Sequence, residues 1–329
     1  MHGRKPDGAG MGTGRFAAGL RTVGLHRRTI DKAKRILWGF TGDGLANKLI
    51  GYFLLTLIGF VYLYPLFYMI TYSFMNTEDL IDPLVTWIPS GLYLDNFARA
   101  SAVMDYAATL RENILVSFLP AAIQTAAAAV IGYGFARFRI PGKPILFALV
   151  LATFIIPPQI TMIPQFLMFR DLGLIGSVFA YLLPAAFGQG FKSGLFILIF
   201  YQFFRTIPKA LEEAAQLDGA GAYRVFVFIA MPMAVPAVII SFLFSMVWYW
   251  NETTLAALYL GDQLKTLPLQ LQNFAATYQK LYPVDPNAQT GRSLNEAINM
   301  AGTLLNIIPL LVVYFFAQRW FVESIARSG

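Results

Sequence analysis

Apolar residues dominate six long stretches of the chain, and each stretch is uniform rather than alternating between apolar and polar positions. A helix needs roughly 20 mostly apolar residues to cross a bilayer, and alternation would instead indicate a membrane β-strand. The pattern therefore predicts an all-α membrane protein with six transmembrane helices. The predicted spans are residues 49–74, 114–135, 145–169, 178–204, 226–260 and 300–321. Two long loops, 75–112 and 261–298, join spans one to two and five to six.

The composition supports a membrane protein and excludes several kinds of site. The chain has 329 residues, 57% hydrophobic and 13% charged, whereas soluble domains carry about 25% charged residues. The mean hydropathy is +0.57. There is no cysteine, and the two histidines, His2 and His26, precede the first span. We therefore expect no metal site and no thiol or multi-histidine chemistry.

Positive charge is distributed unevenly between the two sets of loops. If both termini lie on one side, that side carries eighteen Lys and Arg residues and the other carries six. Ten of the eighteen belong to a basic arm, residues 1–48. Because Lys and Arg are enriched on the cytoplasmic side, we expect a multi-pass protein of the bacterial inner membrane with both termini in the cytoplasm. Contact with membrane lipid then explains the net charge of +7 without nucleic acid as a partner.

The segment Leu211–Pro232 is mostly polar at its start and lies between spans four and five. Pro208 suits the first turn of a helix, and Gly219 suits the left-handed residue that follows a helix end. The sequence predicts a short helix, a turn and a second helix that enters span five, bent by Pro232 and Pro236. The simplest alternative is an amphipathic connector that lies on the bilayer.

The spacing within this segment adds a specific signal. Glu213-Ala214-Ala215 is followed after three residues by Gly219, and after nine more by Ile229, Ala230, Met231 and Pro232. This pattern resembles the EAA loop of the membrane subunits of bacterial ABC importers, with Met231 where leucine is usual.

Further short motifs resemble the carbohydrate branch of that family, which includes the second maltose-permease subunit. They are Leu217–Ala220, Trp250-Asn251-Glu252, Thr266–Leu269 and Gln318-Arg319-Trp320. The resemblance covers about residues 49–327.

The resemblance implies a type I ABC importer fold over residues 49–329, with a cytoplasmic coupling loop at 205–227. It also implies that an ATPase subunit docks on the coupling helix. The docking residues would be Glu213, Ala214, Ala215, Asp218, Gly219 and Ala220.

The same resemblance implies a set of partners. They are a second permease subunit, two ABC ATPase subunits and an extracytoplasmic sugar-binding protein. We expect the second permease to be a different chain, with a second copy of this chain as the alternative. No phosphate-binding G-x-x-x-x-G-K-[S/T] sequence occurs. We therefore expect ATP and Mg²⁺ on the partner subunits, no cofactor on this chain and no enzymatic activity of its own.

Polar residues within spans are candidates for the translocation path, since they are costly in lipid. In span four, Gly188–Lys192 predicts a broken helix that lines a water-filled cavity, with Gln189 and Lys192 facing it. Alternatively, Lys192 snorkels or pairs with a carboxylate of the second permease. In span five, Trp250, Asn251 and Glu252 suit a sugar ring, although aromatic residues also form interfacial belts.

Gln124 and Asn306 are interpreted as interhelical hydrogen-bonding residues. Pro157-Pro158 and Pro164 predict a kink in span three.

The leading functional hypothesis is the permease subunit of an ATP-driven importer that moves a sugar or oligosaccharide. An ABC permease for a non-sugar solute is the main alternative. A secondary transporter is a less favoured alternative. Such a protein would use intramembrane carboxylates for ion coupling, and only Glu252 resembles one. A membrane-embedded transferase would need convergent acids, bases or metal ligands, which the spans do not offer.

Overall fold

The computed structural model of the protein describes the backbone of residues 45–283 and 294–328, and side chains as far as residue 318. The predicted basic arm lies outside the described residues except for residues 45–48. The helices are α1 (Leu45–Ser73), α2 (Thr77–Ile81), α3 (Asp95–Met104), α4 (Tyr106–Arg137), α5 (Lys143–Ile155), α6 (Pro158–Asp171), α7 (Phe179–Ala186), α8 (Ser193–Thr206), α9 (Lys209–Leu217), α10 (Ala222–Val225), α11 (Met231–Met233), α12 (Val235–Asn251), α13 (Thr254–Tyr259), α14 (Leu267–Gln272), α15 (Phe274–Leu281) and α16 (Glu296–Ser328).

The described residues form helices and no strands, and their long helices match the predicted spans. Three stretches are each long and apolar enough to cross a bilayer: α1, α4 and the Glu296–Gln318 part of α16. Three bent helix pairs bring the number of candidate crossings to six. The prediction of an all-helical, six-span membrane protein is confirmed.

One of these bent pairs joins α8 to α9 at an angle of 73°. Because α9 carries Lys209, Glu212 and Glu213, its placement in hydrocarbon would be costly. We therefore assign the fourth crossing to α7 followed by α8, with a break at residues 187–192. This assignment matches the predicted span 178–204.

Proline accounts for the bend in the third crossing. Helices α5 and α6 meet at 95°, with Pro157 immediately before α6 and Pro158 as its first residue. A proline removes a helical hydrogen bond and clashes with the preceding turn. The predicted kink is confirmed at this pair, whereas Pro164 lies within the continuous helix α6.

The chain divides into two units, residues 1–68 and 69–329. In the first unit, the described residues are 45–68, which form most of α1 and whose apolar side chains are largely exposed. In the second unit, α4 is the central helix and packs mainly against α8 and α12. Small residues permit this close packing: a side chain at Gly132 would collide with Phe200 and the backbone of Tyr201.

The two long loops contain helices that the apolar pattern does not predict. Helix α3 and helices α14 to α16 share a core that includes Met104, Leu267, Phe274 and Tyr278. The buried Asn96 side chain fixes α3 by donating hydrogen bonds to the carbonyls of Ser73 and Met75 at 3.0 and 2.8 Å. Helix α4 also begins earlier than predicted, at Tyr106 rather than near residue 114.

Candidate coupling site and membrane cavity

The coupling helix α9 is bounded by proline and glycine. It begins directly after Pro208, so the proline lies one position before the predicted first turn. At the other end, Gly219 has a φ of +83°. The Ala220 N–H donates to the Ala215 carbonyl at 2.9 Å. A left-handed residue with this hydrogen bond is a common helix terminator, so the predicted turn at Gly219 is confirmed.

The six predicted docking residues lie on this short segment. Glu213, Ala214, Asp218 and Gly219 are exposed, and Ala215 and Ala220 are half-buried. Two adjacent alanines leave the backbone of α9 accessible, and Glu213 adds an exposed carboxylate. The segment can therefore receive a partner surface at close range, with a basic or N–H group against Glu213.

The neighbouring Glu212 is buried and fastens α9 to the end of α4. The Arg137 Nε donates to Glu212 Oε1 at 2.7 Å, and both side chains are more than nine-tenths buried. The Arg137 Nη2 also donates to the Ile207 carbonyl at 2.9 Å. The Tyr133 hydroxyl donates to Glu212 Oε2 at 3.4 Å. No motif in the sequence predicts this cluster; the i, i+4 spacing of Tyr133 and Arg137 is the one local signal of it.

The chain after α9 is also attached to α4. A single π-helical turn, Phe226–Ala230, follows α10, and the segment Ala222–Met233 meets α12 at 76°. The predicted bend at the entry to span five is therefore confirmed. The Phe226 ring contacts the Tyr133 ring at 4.9 Å between centroids. Tyr133 thus contacts both α9 and the π-helical turn that follows α10.

The predicted break in span four is also confirmed. Helix α7 ends at Ala186 and α8 begins at Ser193. Between them, Gly188 and Lys192 have positive φ values of 68° and 56°. The loop that results lines a cavity of about 720 Å³, and Gln189 and Lys192 are among the lining residues.

Two side chains from neighbouring spans hold this loop. The Gln124 Nε2 donates to the Phe191 carbonyl at 2.7 Å, and the Tyr249 hydroxyl donates to Gln124 Oε1 at 2.8 Å. A Cβ at Gly190 would overlap both Gln124 Oε1 and the Tyr249 oxygen. The interhelical interpretation of Gln124 is confirmed. Asn306 differs, because its Oδ1 is buried without a hydrogen-bond partner among the described residues.

The other three predicted path residues do not line the cavity. Trp250 is 2% exposed and lies in the core shared with α3 and α16. Asn251 donates to the Val247 carbonyl at 2.9 Å. The Glu252 carboxylate accepts the Leu255 N–H at 2.9 Å at the start of α13. The side chains that span five presents to the cavity are instead those of Tyr249, Leu255 and Tyr259.

Neither region has the composition of a metal-dependent active site. Among the described residues, no group of three His, Cys, Asp or Glu side chains could hold a metal ion. The arrangement offers an exposed helix joined by a buried ion pair to a membrane bundle, and a mostly apolar cavity with a few polar side chains within that bundle. Such an arrangement suits transport coupled to a partner protein.

Comparison with known proteins identifies relatives across most of the chain. A family model described as "Binding-protein-dependent transport system inner membrane component" matches residues 113–327. The Thermoanaerobacterium thermosulfurigenes protein named "Probable starch degradation products transport system permease protein AmyC" is 27% identical, over 84% of this chain and 96% of the relative.

A second relative is the Bacillus subtilis (strain 168) "Polygalacturonan/rhamnogalacturonan transport system permease protein YtcP". It is 28% identical, over 83% of this chain and 94% of the relative. A solved structure, titled "Crystal structure of a bacterial ABC transporter involved in the import of the acidic polysaccharide alginate", aligns with a TM-score of 0.64 at 24% identity. The alignment covers 83% of this chain and 96% of that chain, and it shows a shared fold.

Proposed function

Since the chain belongs to the family of binding-protein-dependent transport system inner membrane components, we propose that it is the permease subunit of an ATP-driven sugar importer. It forms half of the path for a sugar or oligosaccharide that an external binding protein delivers. The cavity among α6, α7 and the end of α12, which Gln189 and Lys192 line, supports a place on that path. The names of AmyC and YtcP, which refer to transport of starch degradation products and of polygalacturonan or rhamnogalacturonan, support a carbohydrate as the substrate.

The observation that carries the proposal is the exposed face of α9. Glu213 and Ala214 are exposed although Glu212 beside them is clamped to α4. Because one face of α9 is bonded to α4 and the other is exposed, a partner that binds the exposed face and moves would displace the membrane bundle as well. We therefore assign the docking of an ATPase subunit to Glu213, Ala214, Ala215, Asp218, Gly219 and Ala220.

The complete importer in this proposal contains this chain, a second permease subunit, two ATPase subunits and the sugar-binding protein. ATP and Mg²⁺ bind on the ATPase subunits, because this sequence lacks a phosphate-binding loop. Closure of the ATPase pair moves α9, and the rigid connection to α4 carries that motion into the spans. Of the predicted path residues, Gln189 and Lys192 face the cavity and remain the candidates for contact with substrate.

Two variants, each with one exposed alanine replaced by tryptophan, test the docking assignment. Ala214→Trp places a bulky ring on the exposed face of α9, and Ala98→Trp makes the same change at an exposed position of α3. Each tagged variant is purified in mild detergent from the native host, and the ATPase subunit recovered per permease chain is measured. We expect Ala214→Trp to lose most of the ATPase and Ala98→Trp to retain it. Equal recovery from both variants would refute docking at α9, and recovery of the wild-type chain alone would refute the importer assignment.

A further inference from the structure

Large apolar side chains are exposed between α2 and α3. The segment 83–94, the apolar loop, contains no charged residue. Its most exposed side chains are Leu84 at 89%, Ile88 at 83%, Leu92 at 75% and Leu94 at 64%. A group of large exposed apolar side chains marks contact with another protein, with a ligand or with a membrane. The apolar loop is therefore an interaction surface.

Local hydrogen bonds fix the backbone of the apolar loop. The buried carboxylate of Asp79, in the first turn of α2, accepts the Ser90 N–H at 3.2 Å. At the start of the loop, Asp82 Oδ1 accepts the Leu84 N–H at 2.9 Å. The apolar side chains are thus held away from the core by a braced backbone.

The apolar loop returns to the point where span one ends. Ser73 is the last residue of α1, which is long and apolar enough to cross a bilayer. The Tyr93 N–H donates to the Phe74 carbonyl at 3.0 Å, and the Asn96 side chain bonds the carbonyls of Ser73 and Met75. Both ends of the loop are therefore tied to the residues at which the chain leaves the bilayer. This position makes the surface continuous with the lipid-facing surface of the spans.

The composition of the loop suits the boundary between lipid headgroups and acyl chains. Trp87 and Tyr93 are 45% and 41% exposed, and these two residue types are enriched at that level of the bilayer. Pro83 and Pro89 have no N–H group to leave unsatisfied, and the N–H groups of Leu84, Ser90 and Tyr93 are bonded within the chain. Unbonded backbone groups and charges are the two features that lipid penalises most strongly.

We propose that the apolar loop lies in the bilayer surface at which span one ends, with phosphatidylcholine-like neutral lipid as its partner. The side chains of Leu84, Ile88 and Leu92 enter the top of the acyl layer, and Trp87 lies at the headgroups. Ser90, whose N–H is bonded to Asp79, stays at the base of the loop in contact with water. The loop thereby anchors α2 and α3 to the membrane and sets the depth at which span one ends.

The test measures the distance of one loop side chain from lipid in the assembled complex. Because the chain has no cysteine, Leu84→Cys can be labelled with the polarity-sensitive fluorophore nitrobenzoxadiazole. The control is Gln272→Cys, which changes an exposed polar residue at the end of α14. The wild-type chain, labelled in the same way, gives the background from partner subunits. Each complex is reconstituted into phosphatidylcholine vesicles that contain phosphatidylcholine with a nitroxide on the acyl chain.

We expect the fluorophore at Leu84→Cys to be quenched several-fold more strongly than the one at Gln272→Cys. A nitroxide near the top of the acyl chain should quench it more than a nitroxide near the chain end, since the loop lies at the interface. A melting temperature equal to that of the wild type shows that the labelled complex is folded. If the label at Leu84 lowers that temperature, Leu92→Cys provides a second exposed position with the same expected result.

Equal quenching at the loop and at Gln272→Cys would overturn the proposal. So would a loop fluorophore that is shielded from water and not quenched by the nitroxide lipids. Shielding that appears only after the external binding protein is added would assign the loop to that protein, and shielding in its absence would assign the loop to the second permease. The result does not depend on the solute or on ATP, so this inference and the proposed function can fail separately.

Discussion

Glu212 and Glu213 are adjacent acidic residues with different environments. Glu212 is 6% exposed and bonded to Arg137 and Tyr133, whereas Glu213 is exposed. The first residue fixes the coupling helix to the bundle, and the second is free to meet a partner. The division of roles between them follows from the face of α9 that each occupies.

The buried ion pair leads to a prediction about stability. Glu212→Gln leaves the Arg137 charge buried without its partner, a change that typically costs about 3–5 kcal/mol. We expect a clear loss of thermal stability in the purified complex and reduced transport. Replacement of both residues together, Arg137→Met with Glu212→Leu, should recover much of the stability because no unpaired charge remains.

The control is an exposed ion pair in the same chain. Arg170 and Asp171 form a contact of 2.9 Å with both side chains more than half exposed, and such pairs contribute roughly 1 kcal/mol or less. Asp171→Asn should therefore leave the melting temperature nearly unchanged. A Glu212→Gln variant as stable as Asp171→Asn would show that the cluster does not hold α9.

At the scale of elements, the coupling loop depends on the turn that ends α9. Gly219 has a φ of +83°, whereas Gly221 has a φ of −70°, and a Cβ at either position would meet nothing within 4 Å. The two glycines are therefore equally uncrowded and differ in backbone conformation. They provide a matched pair for a test of the turn.

We expect Gly219→Ala to impair coupling and Gly221→Ala to have little effect. Alanine in a left-handed conformation costs roughly 1–2 kcal/mol, so the chain after α9 would shift to relieve the strain. ATP hydrolysis stimulated by the binding protein, measured in the reconstituted complex, reports this change. Gly219→Asn should retain more activity than Gly219→Ala, since asparagine tolerates this conformation. Normal coupling in Gly219→Ala would show that the turn is not required.

Several elements could be predicted because their signals are local. Uniform apolar stretches predict the spans, paired prolines predict a kink in span three, and a glycine-rich pentapeptide predicts the break in span four. The contact between Arg137 and Glu212 could not be predicted, because the residues are 75 positions apart and no local pattern pairs them. The helices in the long loops were missed because their faces are buried by distant segments rather than by a continuous apolar stretch.

The sequence also does not predict which side chains of span five line the cavity. The motif Trp250-Asn251-Glu252 lies next to the cavity in sequence, but helix rotation determines which side chains reach it. Tyr249 faces the cavity and Trp250 faces the core, since successive residues of a helix point about 100° apart. The sequence therefore indicates a segment that reaches the cavity, but not which of its side chains line it.

For the whole molecule, the asymmetry of Lys and Arg predicts which loops are cytoplasmic. Because the chain has no cysteine, single cysteines can be introduced without further changes. Ser90→Cys lies in the loop before span two, and Arg139→Cys lies in the loop between α4 and α5; both positions are exposed. An impermeant maleimide should label Ser90→Cys in intact cells and Arg139→Cys only after permeabilisation. The reverse result would invert the proposed orientation.

The central claim is that this chain converts ATP hydrolysis on a partner into solute movement through its own spans. The most direct measurement is sugar accumulation in proteoliposomes that contain the purified complex, its binding protein and internal ATP. We predict uptake against a gradient that requires ATP and is abolished by Ala214→Trp but not by Ala98→Trp. Uptake that continues without ATP, or that is unaffected when Ala214 is replaced by Trp, would contradict the account.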